Sequence, residues 1–172
     1  NHVTSWSEFR FLPGVFVALR QLAELNVPIA VVTNQAIINR GVISHNQLAK
    51  IHDRMLFELH LNGARVDGVF YCPHDNHEQC DCRKPQPGLL QQAARAFDID
   101  LTHSIFIGDA LTDIQAGHSV DCPTILVRTG RGAEAEQELA ARTCAPPSAV
   151  ANDLLSAIPQ VQRLLKTPER VI

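Results

Sequence analysis

Two aspartates four residues apart, in Gly108-Asp109-Ala110-Leu111-Thr112-Asp113, directly follow the apolar run SIFIG at 104–108. Carboxylates where a strand ends and a helix begins suit a hard divalent cation, with Asp109 as a Mg²⁺ ligand and Asp113 positioning the metal's surroundings or a neighbouring lysine. The positive end of a helix dipole attracts the same residues without any metal. A second apolar run, PIAVVT at 28–33, opens into Thr33-Asn34-Gln35. The Thr33 hydroxyl and the Asn34 amide could meet phosphoryl oxygens, although an ordinary polar strand exit has the same composition. Lys84, in Arg83-Lys84-Pro85, could neutralise phosphate charge while Pro85 shapes the turn. An isolated lysine is more often solvated surface.

Three of the five cysteines, Cys72, Cys80 and Cys82, fall within eleven residues beside His74. In a chain whose start shows no basic-then-apolar signal pattern, such clustering points to a metal and not to disulfides. Residues i and i+2 of extended backbone face the same way. Cys72-Pro73-His74 and Cys80-Asp81-Cys82 can therefore each grip one side of a tetrahedral Zn²⁺. All four positions would be filled by protein, which makes the site structural; buried thiols beside an incidental histidine are the alternative. Cys122 and Cys144 stand apart and read as small buried side chains. His45, His52, His60 and His118 lie in stretches of helical period and read as helix-face residues.

The elements that must position these groups alternate. Apolar, β-branched runs at 28–33, 66–72, 104–108 and 124–127 read as buried parallel strands. Between them, Val15, Leu19, Leu22 and Ala23 share one helical face, and Leu48, Ile51, Met55 and Leu59 form the stripe of a second helix. Ser44 and Gln47 have capping-box spacing at its start, and Gly63 suits its exit. A third helix begins near Pro87 and carries Leu89, Leu90, Ala93 and Phe97. A fourth follows Asp109. The pattern ends, after Ala145-Pro-Pro-Ser148, in an amphipathic stretch from Val150 to Leu165 read as a helix interrupted at Pro159. Strand and helix in alternation imply right-handed crossovers and a mainly parallel sheet with helices on both faces, an α/β Rossmann-like architecture of three layers. Ligands of such sheets sit at the carboxyl ends of the strands, where Thr33-Asn34-Gln35, residues 72–84, Asp109 with Asp113, and Arg128-Thr129-Gly130 are expected to converge.

Composition narrows the classes. A chain of 172 residues fits one domain, 1–172, with the metal loop at 72–82. A net charge of −3 leaves no electrostatic footprint for nucleic acid, and no apolar run approaches a membrane span. A cytoplasmic monomer handling a small phosphorylated metabolite is the expectation.

Taken in order, VVTNQ, YCPH, CDCRKP, GD-x-x-TD and LVRTG resemble the haloacid-dehalogenase phosphatase subgroup that contains the histidinol-phosphate and D-glycero-D-manno-heptose 1,7-bisphosphate phosphatases. The likeness spans residues 3–161 and keeps five separate motifs in order. It implies a Mg²⁺-dependent phosphatase of carbohydrate metabolism in which one Asp attacks the phosphoryl group and another, two residues on, is the general acid and base. By resemblance Thr33, Asn34 and Gln35 belong to the substrate-phosphate loop, Arg83 to substrate recognition and Lys84 to charge stabilisation. Thr33 and Lys84 are then the catalytic groups within the chain, Asp109 is the Mg²⁺ carboxylate, and Cys72, His74, Cys80 and Cys82 are the Zn²⁺ ligands. LVRTG at 126–130 looks more like the heptose enzymes, whose bisphosphate is therefore the expected substrate; a histidinol-phosphate phosphatase is the alternative.

Three departures accompany the likeness. Ala36 stands where the family often has Ser, and Ala110 where the heptose enzymes often have Lys. The D-x-D-G-[TV] nucleophile strand is expected upstream of Asn1, so the chain by itself is expected to be inactive. Asp98-Ile-Asp100-Leu-Thr102 follows a helical stretch, lacks the glycine, and reads as a solvated loop. A relative without catalysis, keeping the zinc loop to bind a phosphorylated ligand or a partner protein, is the competing reading.

Overall fold

The computed structural model describes residues 2–141 and 145–166, which fall into two compact units, Asn1–Arg83 and Lys84–Ile172. Every strand pairing in both is parallel, as the alternation of strand and helix requires. Cys144 lies outside the described residues. Among these residues no helix is long and apolar enough to cross a membrane.

The first unit opens with a short 3-10 turn at Trp6–Glu8 and α1 (Val15–Ala23), which buries Ala18, Leu19 and Leu22. Strand β1 (Ala30–Asn34) follows, then α2 (His45–Leu61) and β2 (Gly68–Cys72). The expected stripe Leu48, Ile51, Met55 and Leu59 is the set that α2 buries, and its capping box is formed in both directions by Ser44 and Gln47. Ser44 Oγ accepts from Gln47 N at 3.2 Å while Gln47 Oε1 accepts from Ser44 N at 2.8 Å, so two amides left open by the first turn find partners. Strands β1 and β2 run in register from Ala30 opposite Gly68 to Asn34 opposite Cys72. Their shared carboxyl end therefore launches the Thr33-Asn34-Gln35 segment and the cysteine segment side by side. Ile37, Ile38 and Ile43 pack with Leu48 into a small core against Tyr71, anchoring the loop that leaves β1.

In the second unit α3 (Gly88–Phe97) starts after Pro87 and buries Leu89, Leu90 and Ala93. Then come β3 (Phe106–Gly108), α4 (Leu111–His118), β4 (Thr124–Val127), α5 (Gly132–Ala141), β5 (Ala149–Ala151) and α6 (Leu154–Lys166). The sheet order is β3-β4-β5, and β4 is buried along its whole length, as a central strand covered on both faces must be. Between α3 and β3, Asp98 ends the helix in left-handed backbone and the Asp100 carboxylate caps a 3-10 turn through Thr102 N. Neither aspartate stands at a strand end.

The end of the chain differs from its periodicity. Val150 belongs to β5, opposite Leu126 of β4, and the final helix begins only at Leu154. Asp153 caps that helix: its Oδ1 accepts from Ser156 N at 2.7 Å and its own N–H donates to Ser156 Oγ at 3.0 Å. Pro159 lies inside α6 without ending it. One missing backbone bond is outweighed by the burial of Ala157, Ile158 and Val161 on one face.

Candidate active site and metal centre

In the second unit Lys84 and Asp113 form a buried ion pair, Nζ to Oδ1 2.7 Å, with side chains 12% and 6% exposed. The other carboxylate oxygen, Oδ2, accepts from the backbone N–H groups of Asp109 and Ala110, each at 3.1 Å. Asp113 thus takes the lysine-positioning role, and at the same time clamps the turn that presents Asp109. Gly108 is required by this arrangement, because a Cβ there would collide with the Asp113 side chain. The Lys84 ammonium also lies 5.6 Å from the centre of the Phe106 ring, whose face favours a cation.

Asp109 is held from the far side. Its Oδ2 accepts from Arg131 N at 3.0 Å, across a turn whose Gly130 has φ of 61° and no room for a Cβ beside that carboxylate. Oδ1 makes no hydrogen bond among the described residues. A Mg²⁺ ion is commonly held by one or two carboxylates, its remaining positions going to water and phosphate oxygens, and a half-buried carboxylate with one oxygen fixed and one open fits that need.

In the first unit the Gln35 N–H donates to Cys72 O at 2.7 Å, prolonging the β1–β2 ladder by one bond past Asn34. The Gln35 side chain donates from Nε2 to Thr33 Oγ1 at 3.0 Å. With its oxygen used as an acceptor, the Thr33 hydroxyl keeps its own proton to donate to an anion. Gln35 thus orients the Thr33 hydroxyl beside it.

The cysteine segment closes into a cluster. Cys72 Sγ lies 3.4 Å from His74 Nδ1 and 3.6 Å from Cys80 Sγ, and Cys82 Sγ lies 3.3 Å from His74 Nδ1 and 3.6 Å from Cys80 Sγ. All four ligand atoms fall within 4.8 Å of one another. Tetrahedral zinc with ordinary Zn–S and Zn–N bonds sets edges of about 3.8 Å between sulfurs and about 3.6 Å between sulfur and nitrogen, so the residues fit that ion. Burial pushes the Cys82 thiol up to about 12, helped by the neighbouring thiols, and it also raises Cys72. At Cys80 burial acts in the same direction but is outweighed by the Arg83 N–H and the other two thiols, which lower it. Binding a cation here would release thiol protons.

A web of charged groups around this loop was not anticipated from the sequence. Arg40 grips Asp75 with two bonds, Nε to Oδ2 2.6 Å and Nη2 to Oδ1 2.7 Å, and Asn39 donates to both oxygens of Glu78. The Asp75-x-x-Glu78 spacing of a capping box was the available signal. Arg83 donates from Nε to Asn76 Oδ1 at 2.7 Å and from Nη1 to His74 O at 3.1 Å, so the carbonyl of a residue of the cysteine–histidine cluster helps aim the guanidinium. Of the helical histidines, His45 Nδ1 lies 2.9 Å from the Tyr71 hydroxyl and His118 Nε2 lies 3.3 Å from Thr124 Oγ1. Cys122 is buried, 3% exposed.

Parallel strands alternating with helices define an α/β fold of the Rossmann-like kind, and comparison with known proteins gives its family. A family model described as HAD-hydrolase-like matches residues 81–157. The chain belongs to the haloacid-dehalogenase phosphatases, in the subgroup of the histidinol-phosphate and heptose-bisphosphate enzymes, and is a phosphomonoester hydrolase.

The D-glycero-beta-D-manno-heptose-1,7-bisphosphate 7-phosphatase of Photorhabdus laumondii is 40% identical over 149 residues, 82% of this chain and 79% of that protein. The enzyme of the same name from Haemophilus influenzae is 35% identical over 173 residues, 96% of this chain and 89% of its own. Among solved structures, the D,D-heptose 1,7-bisphosphate phosphatase of B. bronchiseptica, complexed with magnesium and phosphate, superposes with a TM-score of 0.86 at 34% identity, covering 94% of this chain and 89% of that one.

Proposed function

We propose that this protein is a Mg²⁺-dependent phosphatase that removes the C7 phosphate of D-glycero-D-manno-heptose 1,7-bisphosphate through an aspartyl-phosphate formed on the aspartate of a D-x-D-G strand. The names of the relatives support the substrate. The observation that carries the reaction class is the Lys84–Asp113 pair beside Asp109. A buried ion pair is weak support for stability, because desolvation offsets most of its attraction. One built at a strand end, on the residue that also clamps Asp109, is explained by a need for a fixed cation next to a metal carboxylate.

In this reading Thr33 donates its hydroxyl to a phosphoryl oxygen, Asn34 offers its amide, and Gln35 orients Thr33. Lys84 stabilises charge on the transferring group, and Arg83 recognises the substrate. Mg²⁺ on Asp109 would neutralise phosphoryl charge. Zinc on Cys72, His74, Cys80 and Cys82 would be structural, fixing the loop from which Arg83 projects. The thiol-rich cluster favours a reducing, cytoplasmic setting.

The test is steady-state kinetics on protein that carries the D-x-D-G strand, with heptose 1,7-bisphosphate and histidinol phosphate compared. Lys84→Ala and Asp109→Asn should each lower kcat by about a hundredfold or more, the usual loss when one stabilising charge is removed from a transition state. Wild-type turnover in both variants would refute the site assignment. Preference for histidinol phosphate would refute the substrate.

A further inference from the structure

Next to Asp109 the second unit carries a cleft of about 240 Å³. Ala110, Thr112 and Gln115 line one side of it, from the start of α4, and Arg131, Ala135 and Glu138 line the other. Arg131 stands immediately before α5, while Ala135 and Glu138 lie on the helix itself, so Arg131 and Glu138 stand about 10 Å apart along its axis. The cleft is therefore polarised, cationic at one end and acidic at the other. The cationic end is tied to the metal carboxylate, since the Arg131 N–H donates to Asp109 Oδ2 at 3.0 Å.

Arg131 differs from the other cations near it. Lys84 is held by Asp113, and Arg128 by Glu136. Arg131 is exposed and makes no ion pair among the described residues. Its backbone is fixed at Asp109 while its guanidinium reaches about 6 Å from its own Cα, a span comparable with the width of a sugar. Glu138, which has a partner of its own, bounds the far end, where its charge disfavours a second anion.

On the reading given above, the substrate is a sugar with two phosphates, of which only one is removed. The retained phosphate needs a cation about one sugar's breadth from the reacting one, and a guanidinium forks onto phosphate oxygens with two parallel bonds. We propose that this cleft receives the phosphate that is not hydrolysed, and that Arg131 is the residue by which the protein distinguishes a sugar bisphosphate from a monophosphate.

The experiment is calorimetric titration of the chain and of its Arg131→Gln and Arg131→Lys variants. Each is titrated with heptose 1,7-bisphosphate and with the same heptose phosphorylated at C7 only. Arg131→Gln should weaken the bisphosphate by about tenfold to a hundredfold, the worth of a charge-assisted hydrogen-bonded pair, and the C7 monophosphate by less than about twofold. Arg131→Lys should recover most of the loss. Equal weakening of both ligands, or of neither, overturns the proposal and leaves the assigned function standing. A wild-type chain that binds the two sugars equally well, or neither, overturns the bisphosphate reading and this inference with it.

Discussion

Asp113 holds Lys84 with one carboxylate oxygen, at 2.7 Å, and the backbone of the Asp109 turn with the other. One side chain therefore couples the position of the Lys84 cation to that of the carboxylate proposed to hold Mg²⁺. Replacing Asp113 by Asn should leave the Lys84 charge buried without its counterion, at a cost of about 3 kcal/mol or more. In a domain of this size that corresponds to a fall in melting temperature of about 6–12 °C. Lys84→Met should cost a similar amount, and the double variant less than the sum. A thermal double-mutant cycle measures this, and strict additivity would show that the two charges do not interact.

Gly130 holds left-handed backbone against the Asp109 carboxylate. Gly130→Ala should destabilise by about 1–2 kcal/mol from backbone conformation alone. It should also displace Asp109, so Mg²⁺ affinity should fall, and Asp109→Asn should lower it further. Titration of the purified chain with Mg²⁺ gives both affinities. Wild-type affinity in Gly130→Ala would mean that the metal does not depend on this turn.

The cysteine cluster should carry one zinc per chain through chelator washing, read by elemental mass spectrometry, and Cys80→Ser should lose most of it. Structural zinc contributes about 10–16 kcal/mol of binding free energy in small peptides. Its removal should therefore raise amide exchange throughout residues 72–83 and, by way of the Arg40–Asp75 pair, in the loop around Arg40. Exchange confined to the four ligand residues would contradict that connection.

Burial pushes the Cys122 thiol up to about 12 from an ordinary value of 9.0. Protonated thiol is the form the fold accommodates, so the unfolded chain ionises first. The stabilisation is complete below pH 9 and is lost progressively between pH 9 and pH 12. Denaturant titrations should show a steeper alkaline loss in the wild type than in Cys122→Ala. Identical pH profiles would show that Cys122 ionises as easily folded as unfolded.

Much of the fold was legible because it is written at short range. The stripe Leu48, Ile51, Met55 and Leu59 and the Ser44–Gln47 cap are properties of a single helix, and the structure realises them residue for residue. That Cys72, His74, Cys80 and Cys82 would meet was legible from residue type and spacing alone, since two i, i+2 pairs need only a turn to come together. β5 and the true start of α6 were hidden: three residues of Ala-Val-Ala carry no periodicity, and only pairing with β4 makes them a strand. α5 was missed as well, since it buries only Gly132 and Ala135 and carries Glu134, Glu136 and Glu138 where an apolar stripe would have marked it. Which oxygen of Asp113 meets Lys84, that Gln35 turns the Thr33 oxygen into an acceptor, and that Arg131 lends its backbone to Asp109 were all decided by the tertiary structure. Each of these bonds depends on where strand ends and turns place a donor to within a few tenths of an ångström. Residue types can name the donors and acceptors of a site, but only the packed backbone selects the partners.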